Sequence, residues 1–336
     1  MTSKAVVAIA GATGVVGSEI ISILEARKFP IKELRIYASK DSLGEVYKFN
    51  DEEVVVQVLD KSSFEGVDIA LFATSASLSE KFVPFAVNSG AFVIDNSSFF
   101  RMQDGIPLVV PEVNSDILTK NDKIIANPNC STIQLIPILN TLQNKLALKR
   151  VVVSTYQSVS GAGKTAIDEL WNQTKSIFTQ QELKTEAFAH QIAFNCIPQI
   201  DVILDNGYTK EEYKIINESR KILNLPKLKI TATAVRVPVF NSHAESVNIE
   251  LKSESSVDEI NKLLSETEGV RVFNNFSEYP MQINSSGKDD IFVGRVRKDE
   301  SAKNTFDLWI VADNLRKGAA LNAVQIAEVL IKKFIN

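Results

Sequence analysis

The residue types best suited to nucleophilic and acid–base chemistry are scarce in this chain of 336 residues. It holds two cysteines, Cys130 and Cys196, and two histidines, His190 and His243. No zinc motif matches their spacing, so we expect no metal site. A disulfide scaffold is not indicated either, which favours a reducing cytoplasm. Chemistry of these types therefore depends on single residues.

Cys130 lies in a sequence that predicts the start of a helix. Residues 127–129 (Asn-Pro-Asn) precede it, and an apolar pattern of helical spacing follows from Ile133. The proline disfavours helix before it and the second asparagine is a favourable cap, which places Cys130 in the first turn. Amides at a helix N-terminus lower the pKa of a thiol. We therefore interpret Cys130 as a nucleophile and Cys196, which has apolar neighbours, as a core residue.

A general base that works near neutral pH is most often a histidine. His243 follows a predicted strand and a polar turn, and Arg236 stands shortly before it. A loop at the end of a strand can present both side chains to one pocket. A hydrogen-bonded structural role for His243 stays open on this pattern alone. His190 lies in a polar linker, where a solvated side chain is expected.

A glycine-rich turn near the start of the chain predicts a phosphate-binding site. Residues 11–17 read Gly-Ala-Thr-Gly-Val-Val-Gly, after an apolar run and at the start of a helical pattern. Glycines there let helix N-terminal amides approach a pyrophosphate. The motif departs from the stricter G-x-G-x-x-G, so a plain strand–helix turn stays an alternative. The predicted cofactor contacts are Gly11, Thr13, Gly14, Val15, Val16 and Gly17.

The end of the second predicted strand bears on the choice of dinucleotide. Folds that prefer NAD usually place an acid there for the ribose hydroxyls. Here residues 38–42 read Ala-Ser-Lys-Asp-Ser. The serines and the lysine suit a 2′-phosphate and favour NADP, whereas a shift of one or two residues would bring the aspartate to the ribose. The predicted contacts are Ser39, Asp41 and Ser42.

Residues 158–165 (Ser-Val-Ser-Gly-Ala-Gly-Lys-Thr) end like the phosphate loop of a nucleotide hydrolase. That motif requires glycine where this chain has Ser158, so an ATPase site is disfavoured. The favoured interpretation is a glycine turn beside a bound cofactor or substrate.

The pattern of apolar and polar residues along the chain predicts two domains with different kinds of strand. In the first, short apolar runs alternate with helical segments, as in a parallel sheet covered by helices. After about residue 127, strands alternate apolar and polar residues, as an antiparallel sheet with one covered face would. Long polar connections, including 173–190, and an amphipathic helix over 318–334 complete the chain. The strand-like segments are 5–10, 33–38, 53–59, 67–72 and 91–94, then 150–155, 229–239, 246–251 and 306–311.

Composition argues against other classes of function. With 37 basic and 41 acidic residues, the net charge of −4 gives no basic footprint for nucleic acid. The uncharged stretch 124–144 contains prolines and asparagines, which argues against a membrane span. The glycines at 11–17 favour a buried strand entering a helix over a signal peptide.

Seven motifs, in order along the chain, resemble those of aspartate-β-semialdehyde dehydrogenases of the bacterial type. The resemblance implies an α/β fold with a Rossmann-like dinucleotide-binding domain over 1–127 and 315–336. It also implies an α+β catalytic and dimerisation domain over 128–314 with a mostly antiparallel or mixed sheet. The motifs are GATGVVG at 11–17, DNSSFFR at 95–101, NPNCSTIQ at 127–134, STYQSVSGAGK at 154–164, FNCIPQID at 194–201, RVPVFNSHAESV at 236–247 and DNLRKGAALNAVQIAE at 313–328.

The resemblance implies a reversible reaction that converts L-aspartate 4-semialdehyde, inorganic phosphate and NADP⁺ to L-4-aspartyl phosphate and NADPH. Cys130 would carry a thiohemiacetal and then a thioester, with His243 as general acid and base. Gln157 matches the glutamine that orients the substrate. Arg236 matches the guanidinium that clamps the α-carboxylate, a pairing suited to bidentate hydrogen bonds.

The resemblance also assigns ligands for the amino group, the phosphate and the cofactor. Glu218 matches the amino-group ligand and Lys221 a phosphate ligand, although alone they would be interpreted as a solvated pair on a helix. Arg101 matches a second phosphate ligand. Further cofactor contacts would be Thr74, Asn96, Ser160, Gly161, Gly163 and Asn314.

The resemblance implies a place in lysine, methionine and threonine biosynthesis, including the diaminopimelate branch, and a homodimer or tetramer. Strands 150–155, 229–239 and 246–251 could supply the interface between subunits. The linker over 174–190 looks shorter than in many relatives, so the family does not predict what covers the site. An N-acetyl-glutamyl-phosphate reductase and an inactive NADP-binding paralogue stay open as alternatives.

Overall fold

The structure, a computed structural model, describes residues 4–275 and 277–335. Residues 1–3 and 336, which the sequence assigns to the dinucleotide-binding domain, and residue 276 of the catalytic domain lie outside this description. The described chain forms two compact units, 4–129 with 319–335 and 130–318. The boundaries expected from the sequence, 127/128 and 314/315, differ from these by a few residues.

Strands and helices are numbered in chain order. The strands are β1 (Ala5–Ala10), β2 (Ile31–Ala38), β3 (Val46–Phe49), β4 (Glu52–Val55), β5 (Gln57–Val58), β6 (Ile69–Phe72), β7 (Phe92–Asp95), β8 (Ile124–Ala126), β9 (Leu148–Gln157), β10 (Lys229–Arg236), β11 (His243–Leu251), β12 (Val270–Val272), β13 (Ile291–Lys298) and β14 (Thr305–Ala312). The helices are α1 (Val15–Ala26), α2 (Ala76–Asn88), α3 (Pro111–Asn114), α4 (Cys130–Leu146), α5 (Lys164–Thr179), α6 (Lys210–Ile222), α7 (Val257–Ser265), α8 (Gln282–Ser285) and α9 (Leu321–Phe334).

The first unit is built on a parallel sheet of order β5-β2-β1-β6-β7-β8. Every residue of β1 is buried, since strands flank it on both sides. The core joins apolar residues of β1, α1 and α9, including Ile9, Ile20 and Leu330. The predicted Rossmann-like fold is confirmed, and the C-terminal helix belongs to this unit.

The strand predicted over 53–59 is wrong as one element. Its first half, β4, pairs with β3 in a separate two-stranded sheet, and β5 lies at the edge of the main sheet. Asn50 and Asp51 both adopt left-handed backbone, with φ of 51° and 65°, between β3 and β4. Two such residues in succession favour a tight hairpin, which the apolar pattern alone did not reveal.

The second unit contains a mixed sheet of order β10-β9-β11-β14-β13-β12. Its central pairs are antiparallel, and apolar residues of α4, α6 and α7 pack on one face. The predicted mostly antiparallel or mixed sheet is confirmed as mixed: in the segment predicted as a strand over 229–239, β10 runs parallel to β9 and ends at Arg236. The long helical crossover between these two strands makes parallel pairing possible. Alternation of apolar and polar residues indicates that one face of a strand is covered. It does not indicate whether the strand runs parallel or antiparallel to its neighbour.

Two further expectations in this unit need correction. Residues 173–179 are not part of a polar connection, because α5 continues to Thr179 and ends at Gln180, whose φ is 54°. Cys196 is exposed rather than buried in the core. Phe194, two residues before it, is also exposed, at 66%, whereas the next residue, Ile197, is buried.

Among the described residues, no helix has the length and apolar character needed to cross a membrane. Within the same ranges, no group of three or more His, Cys, Asp or Glu side chains is placed to hold a metal ion.

Candidate active site

The ends of three neighbouring strands bring the predicted catalytic side chains of the second unit together. Gln157 and Arg236 end the parallel strands β9 and β10 and are partners in register. His243 begins β11, which runs antiparallel to β9. Parallel strands end at the same edge of a sheet, and an antiparallel neighbour begins there. The three side chains therefore lie at one edge.

Cys130 is the first residue of α4, as the sequence predicts. Its thiol is half-buried and not in a disulfide. A methyl group on Gly318 would lie 3.0 Å from the Cys130 Cβ, so glycine leaves room beside the thiol. Arg236 interacts electrostatically with Cys130. The helix N-terminus and a nearby guanidinium both favour the thiolate.

His243 is fully buried, and a hydrogen bond from Ser158 determines which ring nitrogen carries the proton. The backbone N–H of Ser158 donates to His243 Nδ1 at 3.1 Å, so the neutral ring carries its proton on Nε2. Burial, with the positive charge of Arg236, lowers the pKa of His243 to about 3. Nε2 has no hydrogen-bond partner among the described residues. His243 is therefore a neutral ring with an N–H available to a ligand.

Arg236 is buried beside His243. Its Nη1 donates to the carbonyl oxygen of Ser158 at 2.7 Å. Burial lowers the pKa of Arg236, while the charges of Glu211 and Cys130 oppose that effect. A methyl group on Gly161 would stand 3.2 Å from both Arg236 Nη1 and His243 Nε2. The absence of a side chain at Gly161 thus keeps open the space that these two groups face.

Gln157 connects the start of α4 to α6. Its Nε2 donates to Ser131 Oγ at 3.0 Å and to Glu211 Oε1 at 3.2 Å. Glu211 also accepts from Lys214 Nζ at 3.0 Å. Glu211 is not among the site residues predicted from the sequence. A capping box of Thr209 with the third residue of α6 marks where the helix starts, but no local signal shows that Glu211 faces Gln157.

Glu218 and Lys221 lie on the same face of α6 as Glu211, at helical spacing. Glu218 is 1% exposed and Lys221 is half-buried. The alternative of a fully solvated pair is therefore wrong for Glu218. Both side chains stay proposed ligands, since no contact with a substrate or phosphate tests them.

Asn314 joins the segments on both sides of His243. Its Oδ1 accepts from Ser158 Oγ at 3.1 Å, Ser160 Oγ at 3.2 Å and the amide of Ser242 at 2.8 Å. Ser242 adopts left-handed backbone with φ of 71°, and His243 follows it directly. Asn314 and Ser160, expected at the cofactor, therefore also hold the histidine segment in place. Gly163, with φ of 88°, precedes α5.

A buried carboxyl group lies next to this network. Glu245, two residues after His243 on β11, is fully buried, and neither carboxyl oxygen has a hydrogen-bond partner among the described residues. Burial raises its pKa well above the ordinary value, although the nearby Gln134 and Ser131 side chains oppose this effect. Glu245 is not among the site residues predicted from the sequence.

In the first unit, the glycine turn has the geometry of a phosphate cradle. Gly11 has φ of 83°, and a Cβ there would lie 2.3 Å from the carbonyl oxygen of Ala73. A Cβ on Gly17 would lie 2.1 Å from the Gly11 carbonyl oxygen, so both positions require glycine. Gly14 caps α1, and no described side chain caps that helix. The amides of Val15 and Val16 at its start therefore suit a pyrophosphate.

The loop expected to select the dinucleotide lies beside this turn. Ser42 Oγ donates to Thr13 Oγ1 at 3.3 Å, and Ser39 Oγ donates to Asp41 Oδ2 at 3.5 Å. Lys40, between them, is exposed. The structure therefore brings together two of the sequence segments predicted to contact the cofactor in this unit.

The remaining predicted ligands of the first unit take part in internal hydrogen bonds. Thr74 Oγ1 bonds to Ser79 Oγ at 3.0 Å, and Asn96 Nδ2 donates to the Phe72 carbonyl oxygen at 2.8 Å. Arg101 is largely buried and donates to the carbonyl oxygens of Asn127 at 2.9 Å and Asn96 at 2.7 Å. These contacts fix the positions of side chains that the sequence assigns to cofactor and phosphate.

Comparison with known proteins matches both units to one family. Residues 6–121 match the family model described as semialdehyde dehydrogenase, NAD binding domain, and residues 139–317 match semialdehyde dehydrogenase, dimerisation domain. The chain is 50% identical to the aspartate-semialdehyde dehydrogenase of Aquifex aeolicus over 333 residues, covering 97% of this chain and 98% of that one. It is 48% identical to the enzyme of that name from Bacillus subtilis, covering 97% of each.

A solved structure gives the same result. The crystal structure of aspartate semialdehyde dehydrogenase II complexed with ASA from Vibrio cholerae superposes with a TM-score of 0.96 at 47% identity, covering 99% of each chain. Identity at this level over both units goes well beyond a shared fold. The chain therefore belongs to the aspartate-semialdehyde dehydrogenase family of oxidoreductases.

Proposed function

We propose that this enzyme catalyses the reversible, NADP-dependent reductive dephosphorylation of L-4-aspartyl phosphate to L-aspartate 4-semialdehyde, through a thioester on Cys130. One observation carries the proposal: the buried guanidinium of Arg236 interacts with both Cys130 and His243. A carboxylate bound to Arg236 would place a short-chain aldehyde near the thiol. The Vibrio cholerae relative, crystallised with ASA, supports this choice of substrate.

The proposed binding site holds both polar ends of the amino acid. Arg236 pairs with the α-carboxylate through parallel hydrogen bonds. Glu218 receives the amino group, and Gln157, fixed by Ser131 and Glu211, orients the substrate. An acetylated amine carries no positive charge, so it would make poor use of a buried carboxylate. This argument favours a free amino acid over the N-acetyl-glutamyl alternative.

The proposed chemistry begins with the Cys130 thiolate, which forms a C–S bond to the aldehyde carbon. The C=O electron pair moves to oxygen, and the Nε2–H of His243 donates a hydrogen bond to that oxyanion. Bound NADP⁺ supplies the acceptor for the hydride that leaves the same carbon. The resulting thioester is attacked by phosphate, held by Arg101 and Lys221, and the thiolate leaves.

This scheme refines the general acid–base role implied for His243. Because Ser158 donates to Nδ1, the proton resides on Nε2, and the ring acts first as a hydrogen-bond donor. A thiolate nucleophile needs no base for its attack, so a neutral imidazole meets the requirement of this step.

The glycine turn supports a bound dinucleotide, and the Ser39–Lys40–Ser42 loop supports NADP. Two serine hydroxyls and one exposed ammonium suit a 2′-phosphate, while Asp41 is the feature that would favour NAD. The family model for this unit names NAD binding. The remaining proposed contacts are Gly11, Thr13, Gly14, Val15, Val16, Gly17, Thr74, Asn96, Ser160, Gly161, Gly163 and Asn314.

The wider proposals follow from the same assignment. We place the enzyme in lysine, methionine and threonine biosynthesis in the cytoplasm, as a homodimer. The match of residues 139–317 to a dimerisation domain supports the homodimer.

A steady-state assay with phosphate tests the proposed function. NADP⁺ and NAD⁺ are compared in parallel, with aspartate semialdehyde and N-acetylglutamate semialdehyde as substrates. We expect aspartate semialdehyde with NADP⁺ to be preferred. Cys130→Ser should lower kcat by about 10³-fold or more, because the hydroxyl is a far weaker nucleophile at neutral pH.

The exposed cysteine provides a matched control for this assay. Cys196→Ser makes the same change at an exposed cysteine that is not among the proposed site residues, and it should leave kcat unchanged. Full activity of the Cys130→Ser enzyme would exclude the thioester. Preference for the acetylated substrate would reassign the enzyme to the reductase alternative.

A further inference from the structure

An irregular segment follows α5 and covers part of the site. Residues 181–193, called the strap below, contain no helix or strand. The strap overlaps the linker over 174–190, for which the family motifs do not predict a role. Two buried polar side chains of α5, Glu169 and Gln173, lie one helical turn apart and face it. Their contacts with the strap involve its backbone.

Glu169 holds the middle of the strap. Its Oε2 accepts hydrogen bonds from the amides of Glu186, at 2.9 Å, and Ala187. Its Oε1 accepts from Gln173 Nε2 at 2.9 Å. Both carboxylate oxygens are thus occupied by N–H donors. A carboxylate is the side-chain group that can satisfy donors at both of its oxygens.

Gln173 holds the strap on both sides of that point. Its Nε2 donates to the Lys184 carbonyl oxygen at 2.9 Å. Its Oε1 accepts from the amides of Ile192 at 2.9 Å and Ala193 at 3.1 Å. Buried side-chain hydrogen bonds to irregular backbone replace the pairing that a helix or strand would provide.

Phe188 lies between these fastened points, and its ring lies against Arg236. The Arg236 Cζ is 5.8 Å from the ring centroid. Phe188 also packs on an apolar cluster that includes Ile192 and Leu170 of α5. Arg236 Nη1 also donates a hydrogen bond to the Ser158 carbonyl oxygen. The guanidinium is therefore positioned by one hydrogen bond and one aromatic ring.

The position of the guanidinium matters for a bidentate contact. An arginine side chain has several rotatable bonds, and ordering them on binding costs conformational entropy. An aromatic ring against the guanidinium contributes a cation–π interaction and restricts those rotations in advance.

We propose that Glu169 and Gln173 are positioning residues for substrate affinity: by fastening the strap they hold Phe188 against Arg236 and set the guanidinium plane for the substrate carboxylate. The proposal rests on the proposed function of Arg236 as the carboxylate ligand. Glu169 and Gln173 touch no reacting atom, so their effect passes through Phe188.

The first test separates substrate affinity from turnover. Glu169→Gln keeps the size of the side chain. In either orientation of the new amide, however, its NH₂ group faces an N–H group that donates to Glu169 in the wild type. We expect this variant and Phe188→Leu to raise KM for aspartate semialdehyde about tenfold, with kcat within about twofold. KM for phosphate and for the dinucleotide should not change. Asp168→Asn, at the exposed neighbour that pairs with Lys164, is the matched control and should leave all constants unchanged.

The second test asks whether both residues act by one route. The Glu169→Gln/Phe188→Leu double variant should raise KM no more than Phe188→Leu alone, because effects through a shared contact are not additive. Phe188→Tyr keeps the ring and should recover most of the affinity that Phe188→Leu loses. Amide exchange at residues 186, 187, 192 and 193 should quicken in Glu169→Gln. If Glu169→Gln does not fold, Phe188→Leu and Phe188→Tyr decide the question.

The outcomes distinguish failure of this proposal from failure of the proposed function. Unchanged KM in both single variants, an equal loss for all three substrates, or additive effects in the double variant would overturn the role of the strap. Arg236→Lys is measured beside them, and the proposed function predicts a large rise in its KM for the semialdehyde. If Arg236→Lys keeps the wild-type KM, the carboxylate assignment fails and the strap proposal fails with it.

Discussion

Glu245 lies in an environment that disfavours its charged form. The carboxyl group is fully buried, and burial raises its pKa well above the ordinary value of 4.5. In the unfolded chain the same group ionises near that ordinary value. As the pH rises above 4.5, the unfolded chain therefore loses the proton while the folded protein retains it. The folded state becomes progressively less favourable over this range, up to the folded pKa.

Glu245→Gln should therefore stabilise the protein at neutral pH. Glutamine resembles the protonated acid in shape and hydrogen bonding but does not ionise. We expect the free energy of unfolding at about pH 7.5 to rise by about 1–2 kcal/mol, and the gain to disappear below about pH 4. Urea unfolding followed at both pH values measures the difference. Glu250→Gln, on the same strand at a less buried position paired with Lys149, is the control and should show little effect. A gain that is independent of pH would contradict this explanation.

At the scale of elements, a residue just after β14 connects two other segments at the edge of the sheet. Asn314 follows the strand closely and accepts hydrogen bonds from the segment after β9 and from the residue before β11. These are the segments that hold His243. Side-chain hydrogen bonds, as well as strand pairing, therefore fix this edge of the sheet. Through them Asn314 affects the position of His243 without contacting it.

Asn314→Ala should lower both activity and stability. Ser242 loses the acceptor for its buried amide, and the two serine hydroxyls lose a shared partner. We expect kcat to fall by about tenfold or more and the unfolding free energy by about 2 kcal/mol, as is usual for unsatisfied buried groups. Kinetics and urea unfolding measure the two effects. Asn144→Ala, at an exposed position on α4, should change neither. Wild-type kcat in Asn314→Ala would show that the connection is dispensable.

The elements that the sequence predicted are those with strong local patterns. The apolar run of β1, the glycine turn and the amphipathic α9 each depend on residues close together in the chain. The helix α5 was not predicted, because two of its buried residues, Glu169 and Gln173, are polar. They are buried by contacts with the strap and so do not extend an apolar helix face. The parallel pairing of β10 with β9 depends on residues far apart in sequence.

The site was predicted in the same uneven way. The helix start at Cys130 follows from local rules, and His243 was one of two candidates. The contact of Glu211 with Gln157 joins α6 to the end of β9, and no periodicity within either segment specifies it. The role of Phe188 could not be predicted from the sequence either, because its contact with Arg236 depends on the hydrogen bonds that hold the strap.

At the scale of the whole molecule, the second unit's sheet has a face opposite its helix-covered core. That face is the one relevant to contact between subunits. Val153 and Val247 point into the helix-covered core, so the alternate residues Ser154 and Ser246 lie on the opposite face. Ser154 pairs with Ser246, which pairs with Trp309 across β11 and β14. The resemblance assigns this sheet to the contact between subunits.

Ser154→Arg should separate the proposed homodimer. A guanidinium on that face would be buried without a partner at the contact between subunits, which is strongly unfavourable. We expect the dimer dissociation constant to rise about a hundredfold or more, measured by sedimentation. Ser253→Arg makes the same change at an exposed residue beyond the end of β11 and serves as the control. An unchanged dimer in Ser154→Arg would place the contact elsewhere.

The return of α9 to the first unit determines the order in which the nascent chain can complete its two cores. The core of the first unit includes Leu321, Val324 and Leu330, whereas the second unit is one continuous stretch, 130–318. During synthesis, domains generally fold as units in the order in which they emerge. Here the unit whose first strand is made earliest cannot close its core until the last helix is translated. The second unit, begun later, is the first whose entire sequence has emerged.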